Sequence, residues 1–158
     1  MSIVIDHARG TDDMAHMREL FTQYHKWLGV DLCFQGFEKE MIDLPGKYAE
    51  PRGCLLLARE GGAIAGGVGL WPLDEHVCEM KRLFVHPDWR RKGLGRRLAI
   101  TIIEEARQRS YQPTRLDTLP QLVEALVLYR NLGFVDTDHY YDNPLDGDSY
   151  LELDLSKE

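Results

Sequence analysis

The chain predicts a single α/β domain in which one mixed sheet carries helices packed on it. Three observations carry this reading. With 158 residues it is close to the commonest size for one domain. Its hydrophobic content of 44% suffices for a core, and no stretch approaches the ~18–20 apolar residues of a membrane span. Strand-like and helix-like periods alternate in the order βααβββαβαββ, with no internal repeat, low-complexity tract or linker, so residues 1–158 read as one unit.

Taken in order, Ser2–Asp6 is a short first strand. Thr11 is the expected N-cap of a first helix, with Asp12 and Asp13 in its first turn. Met14, Met17, Phe21, Tyr24 and Leu28 fall on one helical face, and Gly29 ends it. A shorter helix carries Phe37, Met41 and Leu44, closed by Pro45-Gly46. Cys54–Glu60 and Ala63–Trp71, around Gly61-Gly62, predict a hairpin. Cys78–Val85 is a further strand, stopped by His86-Pro87. Leu98, Ala99, Ile102, Ile103 and Ala106 form a helical stripe. Thr114–Leu119 is a short strand. Leu122, Ala125, Leu126, Tyr129 and Leu132 mark a last helix with Gly133 at C′. Phe134–Tyr141 is strand-like, Asn143–Gly147 a turn, and Tyr150–Leu155 a final strand.

Composition narrows the function. The 26 Asp+Glu exceed the 19 Lys+Arg, for a net charge of −7. That argues against coating nucleic acid through overall charge. The N-terminal MSIVIDHARGTDD lacks a basic flank followed by an apolar run, so no secretory signal is expected. Cys33, Cys54 and Cys78 are odd in number and widely spaced, which fits neither a disulfide framework nor a CxxC metal clip. A reducing cytoplasm is the expected setting, and no membrane partner.

The chemistry concentrates in Val85–Leu98, VHPDWRRKGLGRRL, where a strand stops, two glycines follow and a helix begins. Arg90, Arg91, Lys92, Arg96 and Arg97 crowd a helix N-terminus that is already positive. Such a start makes sense with an anion there, and Gly93 and Gly95 let it approach the backbone. A pyrophosphate fits. The string is not a P-loop, and Gly93-Leu94-Gly95-Arg96-Arg97-Leu98 lacks the third glycine of a dinucleotide fingerprint.

Arg90-x-x-Gly93-x-Gly95 does resemble the acetyl-CoA pyrophosphate loop of the GNAT N-acetyltransferase superfamily, (Gln/Arg)-x-x-Gly-x-(Gly/Ala). The preceding Glu79–Pro87, EMKRLFVHP, resembles that family's central strand. Downstream, Ala125-x-x-Leu128-Tyr129-x-x-x-Gly133-Phe134 resembles its second signature, A-x-x-L-Y-x-x-x-G-F. The resemblance extends over nearly the whole chain. It implies a mostly antiparallel, twisted sheet with a splayed central strand pair and helices on both faces.

The resemblance also implies roles. The backbone from Arg90 through Gly95 (Arg91, Lys92, Gly93 and Leu94 between them), with Arg96 just inside the helix, would cradle the pyrophosphate of acetyl-CoA. Leu83, Phe84 and Val85 would pair with the pantetheine arm, and an N–H there would polarise the thioester carbonyl. Tyr129 would protonate the departing thiolate. Glu79 would accept the amine proton, which matters because an alkyl amine of pKa ≈ 10.4 is about one part in a thousand free base at neutral pH. Glu40, Glu75 and Asp117 are lesser candidates for that role. Leu122 stands where the family often has asparagine, so that cofactor contact is absent or falls to Thr118 or Gln121. No metal is expected: His7, His16, His25, His76, His86 and His139 form no HxxxH or HExxH pair. Cys78 has no partner that would make it a nucleophile. Tyr24, Trp27, Trp71, Tyr140, Tyr141 and Tyr150 are candidates to rim the acceptor pocket, and with Asp142, Asp146 and Asp148 nearby the balance favours a cationic amine.

The expectation is therefore transfer of acetyl from acetyl-CoA directly to a primary amine of a small molecule or peptide, without an acyl-enzyme. A homodimer is an assembly the resemblance allows. The rival is a non-catalytic acetyl-CoA-binding sensor or interaction module, which would have no need of Glu79 and Tyr129. A nucleic-acid binder using Arg90–Arg97 is the weaker rival.

Overall fold

A computed structural model describes residues 2–29, 36–138, 140 and 147–156. These form β1 (Ile3–His7), α1 (Gly10–Leu28), α2 (Phe37–Asp43), β2 (Cys54–Glu60), β3 (Ala63–Pro72), β4 (Cys78–Val85), α3 (Leu94–Gln108), β5 (Pro113–Thr118), α4 (Val123–Asn131), β6 (Val135–Asp136) and β7 (Ser149–Asp154). The predicted order holds. Most boundaries fall within a residue of the reading, and two differ by more. Thr11 does not cap α1. Arg9 is the N-cap, and its N–H donates to Asp13 Oδ2 at 2.8 Å, so a carboxylate one turn inside does the capping. The strand predicted for Phe134–Tyr141 is only two residues long among the described ones; His139, Tyr141 and most of the Asn143–Gly147 turn lie outside them, as does Cys33.

The strands lie in the order β1-β2-β3-β4-β5-β7-β6. Every neighbouring pair is antiparallel except β4–β5. β2 shows why both faces are covered. Its unbroken apolar run alternates Leu55 and Leu57 into a core with α1 and α2, and Cys54, Leu56 and Ala58 into a second core with α3 and α4. The helices therefore sit on both faces, as the resemblance implied. Gly69 of β3 has its reason here: a Cβ would collide with the Tyr48 ring lying on the strand.

The parallel pair β4–β5 is joined only at Cys78↔Thr114 and Glu79↔Arg115. Past that point the strands diverge. The cause lies in β4. Between the pairs Gly67↔Phe84 and Gly69↔Lys81, Arg82 and Leu83 together oppose the single residue Val68. Arg82 takes φ +62° to make this bulge. One extra residue bends the strand and flips its alternation, so Met80 packs toward α3 while Phe84 packs toward α1. On its other edge β5 stays paired with β7 through Thr118↔Ser149.

Candidate active site

The divergence of β4 and β5 leaves a cleft of about 700 Å³, within the size range of ligand sites. Tyr24 and Trp27 of α1 wall it on one side of the sheet, and α3 and α4 on the other, so it passes between the strands.

At one end lies the start of α3. Arg91 and Gly93 take φ +63° and +75°, turning the chain so that the helix begins with no side-chain cap. The first intrahelical bond is Arg97 N–H to Gly93 O, which leaves the N–H groups of Leu94, Gly95 and Arg96 without helical acceptors. A Cβ on Gly95 would project between Val85 and Leu128, at 3.8 and 4.0 Å, into the cleft. Donors and space together suit an anion. The basic cluster divides, however. Arg90 and Arg91 line the cleft, while Lys92 and Arg97 lie beside Ser2, Ile3 and Glu60, and Arg97 donates to Ile3 O at 3.0 Å. Arg96 is exposed. Arg90 donates through Nε to Val85 O at 3.0 Å and stacks 4.6 Å above the Trp27 ring. Leu83, Phe84, Val85, Gly93, Leu94 and Gly95 all line the cleft, as expected.

Tyr129 lines it too, from α4. The second motif explains its placement. Gly133, at φ +103°, is C′; its N–H donates to Arg130 O, and that of Phe134 to Tyr129 O. These are the two bonds of a Schellman stop. Phe134 then packs edge-on against Tyr129, ring centres 5.7 Å apart. Helix termination thus positions the phenol. Among the described residues its hydroxyl makes no hydrogen bond, and burial pushes its pKa well above 10, so it stays protonated. Leu122 occupies the N-cap of α4 and lines the cleft with Thr118 and Gln121.

Glu79 is neither exposed nor part of the cleft wall. It is 3% accessible. Trp71 Nε1 donates to Oε1 at 2.7 Å and Tyr140 Oη to Oε2 at 2.5 Å. Lys81 Nζ lies 3.9 Å from Oε1, its pKa lowered by burial against the opposing pull of Glu79. Glu40 belongs to the adjoining group: Arg82 donates to it twice, at 3.0 and 3.3 Å, and Tyr48 Oη once, at 2.8 Å. Burial opposes the Arg82 charge, and Glu40 more than restores it. Tyr48 stacks on Trp71 at 5.0 Å, linking the two groups. Glu75 is exposed on the β3–β4 connection. Asp117 does line the cleft. Of the predicted rim, Tyr24 and Trp27 line it, Tyr24 with its phenol pushed by burial to about 12. Trp71 and Tyr140 instead hold Glu79, and Tyr150 is buried. Asp142 and Asp146 lie outside the described residues.

Sequence reasoning missed the grouping of His7, Cys54 and Glu105, whose ligand atoms fall within 4.8 Å of one another. No spacing motif announces it, because β1, β2 and α3 each supply one member. Glu105 there is bonded by both His7 and Arg109, so its charge is already matched.

Comparison with known proteins agrees with this fold. The acetyltransferase (GNAT) family model matches residues 14–134. An uncharacterised N-acetyltransferase of Schizosaccharomyces pombe is 36% identical over 99% of this chain and 97% of its own. A GNAT-family acetyltransferase from Staphylococcus aureus has the same fold, with TM-score 0.80 at 19% identity over 98% of this chain and 99% of that one. An N-acetyltransferase from Thermoplasma acidophilum, solved with coenzyme A, gives 0.75 at 19% identity over 98% and 99%. The chain belongs to the GNAT family of acetyltransferases.

Proposed function

We propose that the protein transfers the acetyl group of acetyl-CoA directly to a primary amine of a small molecule or peptide, both substrates being bound together in one domain. The observation that carries this is the uncapped, glycine-opened start of α3 at the mouth of a cleft that runs between two diverging strands. Its free N–H groups fit a pyrophosphate, the edges of β4 and β5 fit an amide-bearing arm, and α1 walls a separate approach for the acceptor.

Backbone groups of Leu83–Val85 hold the arm and polarise the thioester carbonyl. The amine adds to that carbonyl, the tetrahedral intermediate collapses, and the C–S bond breaks. Tyr129 gives its proton to the leaving thiolate. The burial that makes the phenol a weaker acid also makes a thiolate in the same cleft a stronger base, so the transfer remains matched. Glu79 takes the amine proton indirectly, since both its oxygens are engaged and Tyr140 and Lys81 stand against it. Asp117 supports a second reading of that step, because it alone of the four carboxylates considered lines the cleft.

The test is a CoA-release assay against a broad amine panel, with Tyr129→Phe as control. Turnover with an amine, suppressed by the substitution, is the expected result. Acetyl-CoA binding without turnover on any amine would favour a sensor module. The cytoplasm, a homodimer and independence from metal remain part of the proposal; among the described residues no helix is long and apolar enough to cross a membrane.

A further inference from the structure

Among the described residues Lys81 is the only buried lysine, at 6% accessible. Burial lowers its pKa, and an apolar side chain of similar volume would fill the same space without that cost. The charge therefore asks for a use. Its neighbour Arg82 has one, in two hydrogen bonds to Glu40. Lys81 differs. Its Nζ stands 3.9 Å from Glu79 Oε1 and 5.1 Å from the centre of the Trp71 ring, beside a carboxylate that Trp71 and Tyr140 already hold. The strands fix what lies on its other side. β4 and β5 pair in parallel at Glu79↔Arg115, and two residues further, before the bulge, the same register sets Lys81 level with Asp117. Asp117 follows Leu116, which packs in the core with α3 and α4, so strand alternation turns Asp117 to the face that Lys81 shares with Trp71. There its charge acts on Lys81. Asp117 lines the cleft, whereas neither Lys81 nor Glu79 does. The three groups run inward from the cleft wall in the order Asp117, Lys81, Glu79.

We propose that Lys81 relays the acceptor's proton from Asp117, at the cleft wall, to the sealed Glu79. The assignment rests on the amine-acetylation reading of the cleft, and it makes two carboxylates otherwise read as alternatives the ends of one path. The acceptor ammonium loses an N–H proton to the Asp117 carboxylate, and the electron pair so freed attacks the thioester carbonyl. Nζ passes one of its own protons to Glu79 Oε1 and takes the one from Asp117, so Lys81 ends the transfer in the protonation state in which it began. The proton returns along the same row to water once the product has left. The 3.9 Å gap to Glu79 closes by rotation of the flexible four-carbon stem. Lysine suits this place because burial makes its ammonium easier to deprotonate, whereas an arginine stays charged throughout. The other charges facing Nζ are Arg82, which lowers its pKa further, and Glu40, which raises it. Lys47 lies 4.8 Å from the same Trp71 ring. Lys81 touches no substrate and acts through Asp117.

The test compares Lys81→Met, Lys81→Arg and Glu79→Gln with the double variant Glu79→Gln/Lys81→Met, on the full chain, with the alkyl amine of the panel that turns over fastest, held at one concentration. The thermal shift given by CoA checks that each variant folds, with Lys81→Gln replacing Lys81→Met should methionine fail that check. Lys81→Met should lose about tenfold in turnover at pH 7, as Glu79→Gln does. The deficit should shrink as pH rises toward about 10.4, where the amine sheds its proton unaided. The double variant should also lose about tenfold, because both substitutions cut one path. Lys81→Arg should lose as much as Lys81→Met, since a guanidinium passes no proton. A structural counter-ion would behave otherwise, because arginine keeps the charge. Turnover of Lys81→Arg within about twofold of wild type therefore overturns the proposal. So does a loss of about a hundredfold in the double variant, which would make the two residues independent, or a deficit that stays constant with pH. If Lys81→Arg loses the CoA shift, the double variant and the pH profile decide by themselves. If the wild type acetylates no amine of the panel, the acetyl-transfer reading falls first and the proposal with it.

Discussion

The two faces of the sheet treat their polar groups in opposite ways. Where the α3–α4 face lines the cleft they are left open: α3 starts uncapped and, among the described residues, neither the Tyr129 hydroxyl nor Thr118 Oγ1 has a hydrogen-bond partner. On the α1–α2 face each buried carboxylate is closed by donors. Arg82 and Tyr48 close on Glu40, and Trp71 and Tyr140 close on Glu79. Open groups are useful where a ligand will satisfy them. Closed groups spend their bonding on holding one arrangement, here the bulge at Arg82 that parts β4 from β5. On the proposed function, one face binds and the other keeps the gap open.

That division can be broken most severely from the closed side. Glu40→Ala would leave the Arg82 guanidinium, 3% accessible at its side chain, without its carboxylate. Urea denaturation at neutral pH should show a loss of about 3–5 kcal/mol; a loss below about 1 kcal/mol would mean that water replaces the partner. The open side should respond in function. Tyr129→Phe keeps the ring against Phe134 and removes the proton, so kcat should fall at least about a hundredfold with acetyl-CoA affinity within about twofold. A kcat within about twofold of wild type would return Tyr129 to the role of core residue.

Glycine substitutions sharpen the contrast. Gly95→Val should fold normally, since its Cβ meets only van der Waals contacts, yet abolish the thermal shift given by CoA. Gly93→Val should lose the same shift and also destabilise the ligand-free protein by about 1 kcal/mol, because φ +75° disfavours a branched side chain. An unchanged shift in both would move the pyrophosphate elsewhere. The smallest effect should come from Glu79→Gln, about tenfold in turnover at pH 7. Activity should partly return as pH rises toward the amine pKa near 10.4, where free base becomes plentiful. If Asp117→Asn shows that recovery instead, the proton goes to Asp117.

The open face was legible in the sequence because its parts are contiguous. Arg90–Gly95 builds a helix start, and Ala125–Phe134 builds a helix with its stop, each from one local run. The closed face was not. Residues 40, 48, 71, 79, 82 and 140 meet only after the sheet forms, and no spacing links them. The bulge was hidden for a different reason: CEMKRLFV has no glycine, and it is Arg82, paired with Glu40, that adopts the positive φ. Glu79, read as the opening of a strand, turned out sealed because Tyr140, from beyond α4, covers it. Lys92, ahead of α3, and Arg97, inside it, left the expected cluster for the neighbourhood of β1, where Arg97 donates to Ile3 O.

The Schellman stop of α4 makes the phenol proposed as the proton donor hostage to a local melting event. Tyr129 O receives the Phe134 amide, so the residue that faces the cleft is also an anchor of the helix end. Helix ends fray far more often than domains unfold. Each opening of that last turn would release the tyrosine while the sheet and both cores stayed intact, giving molecules that are folded but inactive. The rate at which the Phe134 amide exchanges with solvent deuterium therefore reports the competent fraction. Variants far from the cleft that loosen this turn, such as those at Gly133, would lower specific activity with no change in global stability proportionate to the loss.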